Sequence, residues 1–296
     1  MLLLSFAFIV AILGIYTWLH YSPAGEVYAA EKVEHIDLKH PLRNRAEHDE
    51  ALQRNGGNPY ILEASTNGPG ALMYYGASHT RAADHPQLAS ITNKWHEFKP
   101  TVALYEGRSR GFFYGDLIEP FAGLPEPALI HKLARADNIP LYTLEPAYED
   151  EVAKLLKIYA PEQIALYFFL RVYRSEAGGV AKESLAKDLL QKRTDVDGLR
   201  GTLLSLEDVD ALWSRDFTDF EDWRTIRDEV GYLAEISEHS RRVRGEHMAR
   251  ILIDLVQKGE RVFATVGSGH VIRQEWNLRT AFNLEPAWDQ PQENSQ

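Results

Sequence analysis

Apolar and polar positions follow two rhythms along this chain. Short runs, "ALMYYG" at 71–76, "TVALYEG" at 101–107, "PLYTLEP" at 140–146 and "RVFATVG" at 261–267, are apolar over several consecutive residues and predict buried strands. Between the first three stand stretches of helical period. "HPQLASITNKWHEF" at 85–98 puts Leu88, Ile91, Trp95 and Phe98 on one stripe, and "EPALIHKLARAD" at 126–137 predicts a second helix. Strands alternating with helices imply parallel pairing through right-handed crossovers. From about 149 to 258 the pattern is helical throughout, with helices expected at 149–158, 161–174, 180–192, 206–214 and 221–258. The last of these carries Leu233, Ile236, Val243, Met248, Ile251, Leu252 and Leu255 at helical intervals and stops at Gly259. The expected fold class is therefore α/β: a mostly parallel central sheet flanked by helices, with a large helical insertion before the last core strand.

The flanks read differently. Residues 2–19 form an apolar run without a charge, and about 18 such residues can just cross a bilayer as a helix. Residues 1–24 are accordingly expected to be a transmembrane anchor or signal segment, with small residues near Ala24 and Ala29 where a peptidase could cut. That would place the rest outside the cytoplasm, on a periplasmic or cell-surface side, or secreted after cleavage. Residues 25–69 are polar and end in "STNGPG"; they are expected to be a linker with one short helix or strand. The folded domain should span 70–285, and 286–296 should be a disordered tail.

Composition narrows the function. A hydrophobic content of 45% can fill a substantial core, and a formal charge of −11 argues against a nucleic-acid partner. The absence of cysteine excludes disulfides, thiolate metal sites and cysteine nucleophiles.

Four ionisable residues share one kind of position. His79, Glu106, Glu145 and His270 each sit at, or just beyond, the carboxyl end of a predicted strand. Parallel strands bring such ends to one edge, where open α/β sheets bind ligands. Both histidines follow a glycine by three residues, in "GASH" at 76–79 and "GSGH" at 267–270. Gly76, Gly267 and Gly269 would let the chain turn sharply, through positive φ, and leave room for a ligand. Two imidazoles and a carboxylate suit a catalytic divalent metal ion with an open position. Without a metal, His79 or His270 could act as general base on water, oriented by Glu106 or Glu145. Spacing alone equally allows both histidines to be capping or core residues.

These motifs carry a resemblance. "YYGASHT", then a helix and "TVALYEG", then "RGEHMARILIDLVQKGERVFATVGSGHV" resemble the superfamily of the TIKI, TraB/PrgY and GumN proteins. ChaN-like haem-uptake proteins and erythromycin esterases are more distant relatives of that group. Such proteins carry a Gly-x-x-His after the first core strand and a glutamate after the second. A helical insertion follows, then an Arg-(Asn/Asp)-x-x-Met helix, then a last strand ending in a second Gly-x-x-His. The likeness covers about 71–110 and 240–275. It implies that His79, Glu106 and His270 are the motif residues and the candidate metal ligands, and that Arg244, with Met248 four residues on, is the helix arginine. Arg244 would orient a carboxylate or stabilise developing negative charge. Gly245 departs from the pattern, standing where those proteins have Asn or Asp.

The resemblance implies a metal-dependent hydrolase acting on an amide, peptide or ester bond. The alternatives are a metal-free esterase with a histidine base, or a non-enzymatic haem- or metal-binding protein. Its partner would be a small-molecule or peptide substrate. Haem, as the alternative cofactor, could find Tyr75 or Tyr114 as ligands. Arg108 and Arg110 in "EGRSRG" could hold a carboxylate or phosphate. His85 reads as a helix cap, and His247 as an ordinary helix-face residue.

Overall fold

The computed structural model describes residues 21–22, 25–80, 82, 84–107, 112–113, 125–176, 183–226 and 228–291. The chain divides into two compact units, one made of 1–146 with 245–296 and the other of 147–244.

The first unit is an α/β sheet structure. Strands β1 (Tyr21–Ser22) and β6 (Phe112–Phe113) form a small antiparallel pair. The main sheet contains β2 (Glu26–Val27), β3 (Tyr60–Ser65), β4 (Ala71–Ala77), β5 (Val102–Tyr105), β7 (Leu141–Thr143) and β8 (Arg261–Gly267), in the order β2-β7-β5-β8-β4-β3. Every pairing is parallel except β3 with β4. Helices α1 (Arg45–Arg54), α2 (Pro86–Phe98), α3 (Pro125–Ala136) and α9 (Ser268–Ala281) belong to this unit.

Apolar runs become central strands because both sheet faces are covered. Side chains alternate between faces. Leu72 and Tyr74, Val102 and Leu104, and Val262, Ala264 and Val266 enter one core, with Met248, Ile251 and Leu252. Met73 and Tyr75, Ala103 and Tyr105, and Phe263 enter the other, with Ile91 and Trp95 of α2 and Ile130 of α3.

The second unit is helical: α4 (Tyr148–Leu155), α5 (Pro161–Glu176), α6 (Glu183–Thr194), α7 (Leu206–Asp216) and the first part of α8 (Tyr232–Gln257). Leu166, Phe168, Phe169 and Tyr173 of α5 pack in its core with Trp213 and Trp223. The predicted helix at 221–258 begins only at Tyr232, because residues before it form turns and Gly231 adopts φ 51°. Residues 245–257 of α8 belong to the first unit, so the compact insertion ends at 244 rather than 258.

Other expectations are corrected. Residues 25–69 are not a linker: they contribute β2, β3 and α1, the last closed by a capping box between Asn44 and Glu47. Residues 286–291 are not a loose tail. Asp289 accepts from Arg43 Nε (2.8 Å) and Nη2 (2.5 Å), and Gln290 donates to Thr280 Oγ1 at 2.8 Å. Residues 292–296 lie outside the described residues. Membrane anchorage is also corrected: among the described residues no helix is long and apolar enough to cross a membrane. The apolar run 2–19 itself lies outside the described residues.

Arg43 explains how two polar flanks became structure. Its side chain is fully buried and donates to Glu275 Oε2 at 2.6 Å and to the Ile272 carbonyl at 2.7 Å, besides Asp289. Tyr60 and Arg279 donate to the same Glu275 carboxylate, each at 2.7 Å. Desolvation works against the Arg43 charge, but the bonds to Asp289 and Glu275 outweigh it. Desolvation likewise opposes ionisation of Glu275 and Asp289, yet the bonds from Arg43, with Tyr60 for the one and Trp276 for the other, hold both below the ordinary carboxylate range.

Carboxyls depressed in the folded state stabilise it above their unfolded pKa and lose that contribution as pH falls through the folded value. Urea unfolding should therefore show stability declining as pH drops below about 4.5. Arg43→Ala should cost about 3–5 kcal/mol at pH 7, since it removes the cation that two buried carboxylates share. An unchanged urea midpoint would contradict this account of the knot.

Candidate active site

The site begins with register. Ala77 of β4 lies opposite Gly267 of β8, and Tyr105 of β5 opposite Thr265, so three neighbouring parallel strands end within two residues of one level. Glu106 follows β5 directly and extends the pairing, donating its N–H to the Thr265 carbonyl at 2.9 Å. β8 passes without a loop into α9, with Gly267 as the helix N-cap and His270 in the first turn. This last helix was not foreseen: "GSGH" read as a turn, whereas it opens a helix of 14 residues.

Glu106 is the centre of the group. One oxygen accepts the Gly267 N–H at 2.6 Å, and the other is hydrogen-bonded to His270 Nε2 at 3.1 Å. His79 Nε2 stands 3.8 Å from the first oxygen, an ion-pair distance rather than a hydrogen bond. Glu106 and His270 are largely enclosed, with 18% and 17% of their side chains exposed, whereas His79 is 71% exposed. The two histidines therefore meet at a common carboxylate, one held and one open to solvent.

The glycines act differently from expectation. Gly76, Gly267 and Gly269 are not among the positive-φ glycines, and Gly267 has φ −61°. What they supply is close approach. A Cβ at Gly267 would lie 2.6 Å from His79 Nε2 and 3.4 Å from Glu106 Oε2. One at Gly76 would lie 2.6 Å from the Tyr60 carbonyl oxygen and 2.7 Å from Ser268 Cα.

Beneath the group, Tyr74 is wholly buried and donates to Gln274 Oε1 of α9 at 3.1 Å. Burial, then the negative charge of Glu106, pushes its phenol well above the ordinary range; the charge of Glu145 acts the same way. Glu145 thus stands within electrostatic reach of the same buried phenol, and its N–H donates to Thr143 Oγ1 at 3.0 Å.

The remaining candidates separate. Arg244 is the last residue of the second unit, 7% exposed on α8. Gly245, the departure from the motif, has a packing reason: a Cβ there would lie 2.6 Å from Leu42 Cδ1. His85 caps α2, its Nδ1 accepting from the Gln87 N–H at 3.3 Å. His247 is buried on α8. Tyr75 is fully buried in the sheet, its hydroxyl closed off from solvent, so it presents no oxygen to a haem. Arg108, Arg110 and Tyr114 lie outside the described residues. A cavity of about 370 Å³ lined by His35, Lys39, Ile253, Asn277 and Thr280 shares no residue with the group.

The donor types suit a divalent cation. Both Glu106 oxygens already accept hydrogen bonds from the protein, and among the described residues no three His, Asp or Glu side chains are placed to hold a metal ion. What the arrangement offers is acid–base chemistry at a sheet edge. No protein-family model matches the chain, and no curated protein matches it either.

One residue escaped sequence reasoning. His48 of α1 brings its Nε2 to 3.3 Å from where a Cβ of Gly269 would be. The visible signal was the "NRAE" capping box that starts its helix inside a polar stretch.

Two glycine variants should separate packing from chemistry. Gly76→Ala meets backbone on two sides and should cost about 3 kcal/mol in chemical denaturation. Gly267→Ala meets chiefly the tip of an exposed ring, so stability should fall by about 1 kcal/mol or less, while the His79 imidazole resonances shift in NMR spectra. Equal stability losses at the two positions would contradict this reading.

Proposed function

We propose that this chain is a metal-free hydrolase of ester or amide bonds in which His79 is the general base. One observation supports this most directly: a carboxylate hydrogen-bonded to one imidazole and 3.8 Å from a second, solvent-facing one, at the carboxyl edge of a parallel sheet. The resemblance of the Gly-x-x-His motifs to the TIKI/TraB and erythromycin esterase groups supports hydrolysis, and the erythromycin esterase side of that likeness supports the metal-free form.

In the proposed reaction, His79 removes a proton from water, and the oxygen attacks the carbonyl carbon. Glu106 stabilises the imidazolium as it forms, in the manner of the acid in a catalytic triad. His270, fixed by the other carboxylate oxygen, keeps Glu106 oriented. Negative charge developing on the carbonyl oxygen is met by first-turn N–H groups of α9, which have no acceptor within their own helix. The substrate is a small ester or amide able to approach an open edge.

Hydrolysis of 4-nitrophenyl butyrate by the purified chain tests the proposal. His79→Ala should lower kcat/KM by about 10²–10⁴-fold, and Glu106→Gln by a similar factor. Chelators should leave the rate unchanged. Parental rates in His79→Ala would refute the base assignment. About one divalent ion per chain, lost together with activity on chelation, would instead establish the metal-dependent reading.

A further inference from the structure

His48 was absent from the residues that the motifs single out, and its surroundings are those of a working group. Its Nδ1 is 2.9 Å from Asp49 Oδ1, which fixes the direction of the ring. Its Nε2 makes no hydrogen bond among the described residues and points at the first turn of α9. There the missing Cβ of Gly269 leaves 3.3 Å to the position a side chain would occupy. The ring is 19% exposed, neither sealed in a core nor loose on the surface.

The support beneath it is rigid. The segment leading into α1 is held against α9 by paired bonds between Arg43 N–H and the Arg273 carbonyl (3.1 Å) and between Arg273 Nη1 and the Arg43 carbonyl (3.2 Å). Five residues before His48, Arg43 is locked into its buried ion pairs. Three imidazoles thus approach residues 267–270: His79 beside Gly267, His48 beside Gly269, and His270 itself.

We propose that His48, oriented by Asp49, is a further catalytic residue, the general acid that protonates the leaving group. The inference rests on the hydrolase reading above. As the tetrahedral adduct collapses, the bond from carbonyl carbon to leaving oxygen or nitrogen breaks. The electron pair goes to the leaving atom, and the proton on His48 Nε2 goes with it. The proton that His79 took from water is released to solvent, from which His48 is reprotonated. The sum is ester plus water giving acid plus alcohol, with no other reactant.

A general acid matters in proportion to the basicity of the leaving group, which gives a readout that a structural role would not move. Ethyl butyrate releases a basic alkoxide, whereas 4-nitrophenyl butyrate releases a stable phenolate. His48→Ala should lower kcat/KM for ethyl butyrate by about 100-fold and leave 4-nitrophenyl butyrate within about threefold of the parent. Should His48→Ala fail to fold, His48→Gln, which keeps the bulk, should show the same selectivity. Gly269→Ala, which crowds Nε2, should show it in smaller measure.

Equal losses on both esters, or none, would overturn the acid role of His48 while leaving that of His79 standing. Full activity of His79→Ala toward the activated ester, or no turnover of either ester by the parent, would instead bring down the hydrolase reading and this inference with it.

Discussion

The hydrogen bond from the Gly267 N–H to Glu106 is the constraint on which the site depends. It joins the end of β5 to the junction of β8 and α9, and so fixes where the last helix starts relative to the sheet. A carboxylate is well suited to that place, because the N-terminus of a helix carries partial positive charge. Once Glu106 is held there, its second oxygen can face only the first turn of α9, and His270 of that turn meets it. The absence of side chains at Gly76 and Gly267 makes the approach possible, since a methyl group at either would collide with neighbouring atoms.

Below that junction lies a polar layer that ties the sheet to α9. Tyr74 of β4 reaches Gln274, and Gln274 Nε2 in turn lies 3.5 Å from the Met248 sulfur on α8. The phenol sits in a fully enclosed, negatively biased place and keeps its proton, so it remains a donor. On this face of the sheet the site rests on hydrogen-bonded polar side chains, Tyr74 and Gln274, and such layers fix one arrangement of the elements above them.

Much of this was legible in the sequence, and the rest was hidden for physical reasons. β8 was read with its observed ends, and β4 to within one residue, because a strand buried on both faces leaves an apolar run that has no other explanation. His79, Glu106 and His270 could be grouped because parallel strands align their ends. β3 was missed: as an edge strand, with Glu63 and Ser65 facing solvent, it shows only a weak pattern. α1 was lost in a polar stretch, since a helix that buries chiefly Ala51 carries almost no apolar stripe. The helix after "GSGH" was missed because two glycines argue against helix by propensity; here Gly267 leaves room for His79 and Glu106, and Gly269 for His48. Arg43 could not be read at all, for its acidic partners lie more than two hundred residues away.

That last separation has a consequence for how the chain comes into being. A ribosome delivers residues in order, and Arg43 emerges long before Glu275 and Asp289 exist to neutralise it. Until then the early segment has a strong reason to stay in water, and α1 with His48 has nothing to settle against. The strand-end edge can close only after residues 267–289 have been made, so a product cut short before them would carry β4, β5, His79 and Glu106 yet lack the contacts that hold Glu106 in place.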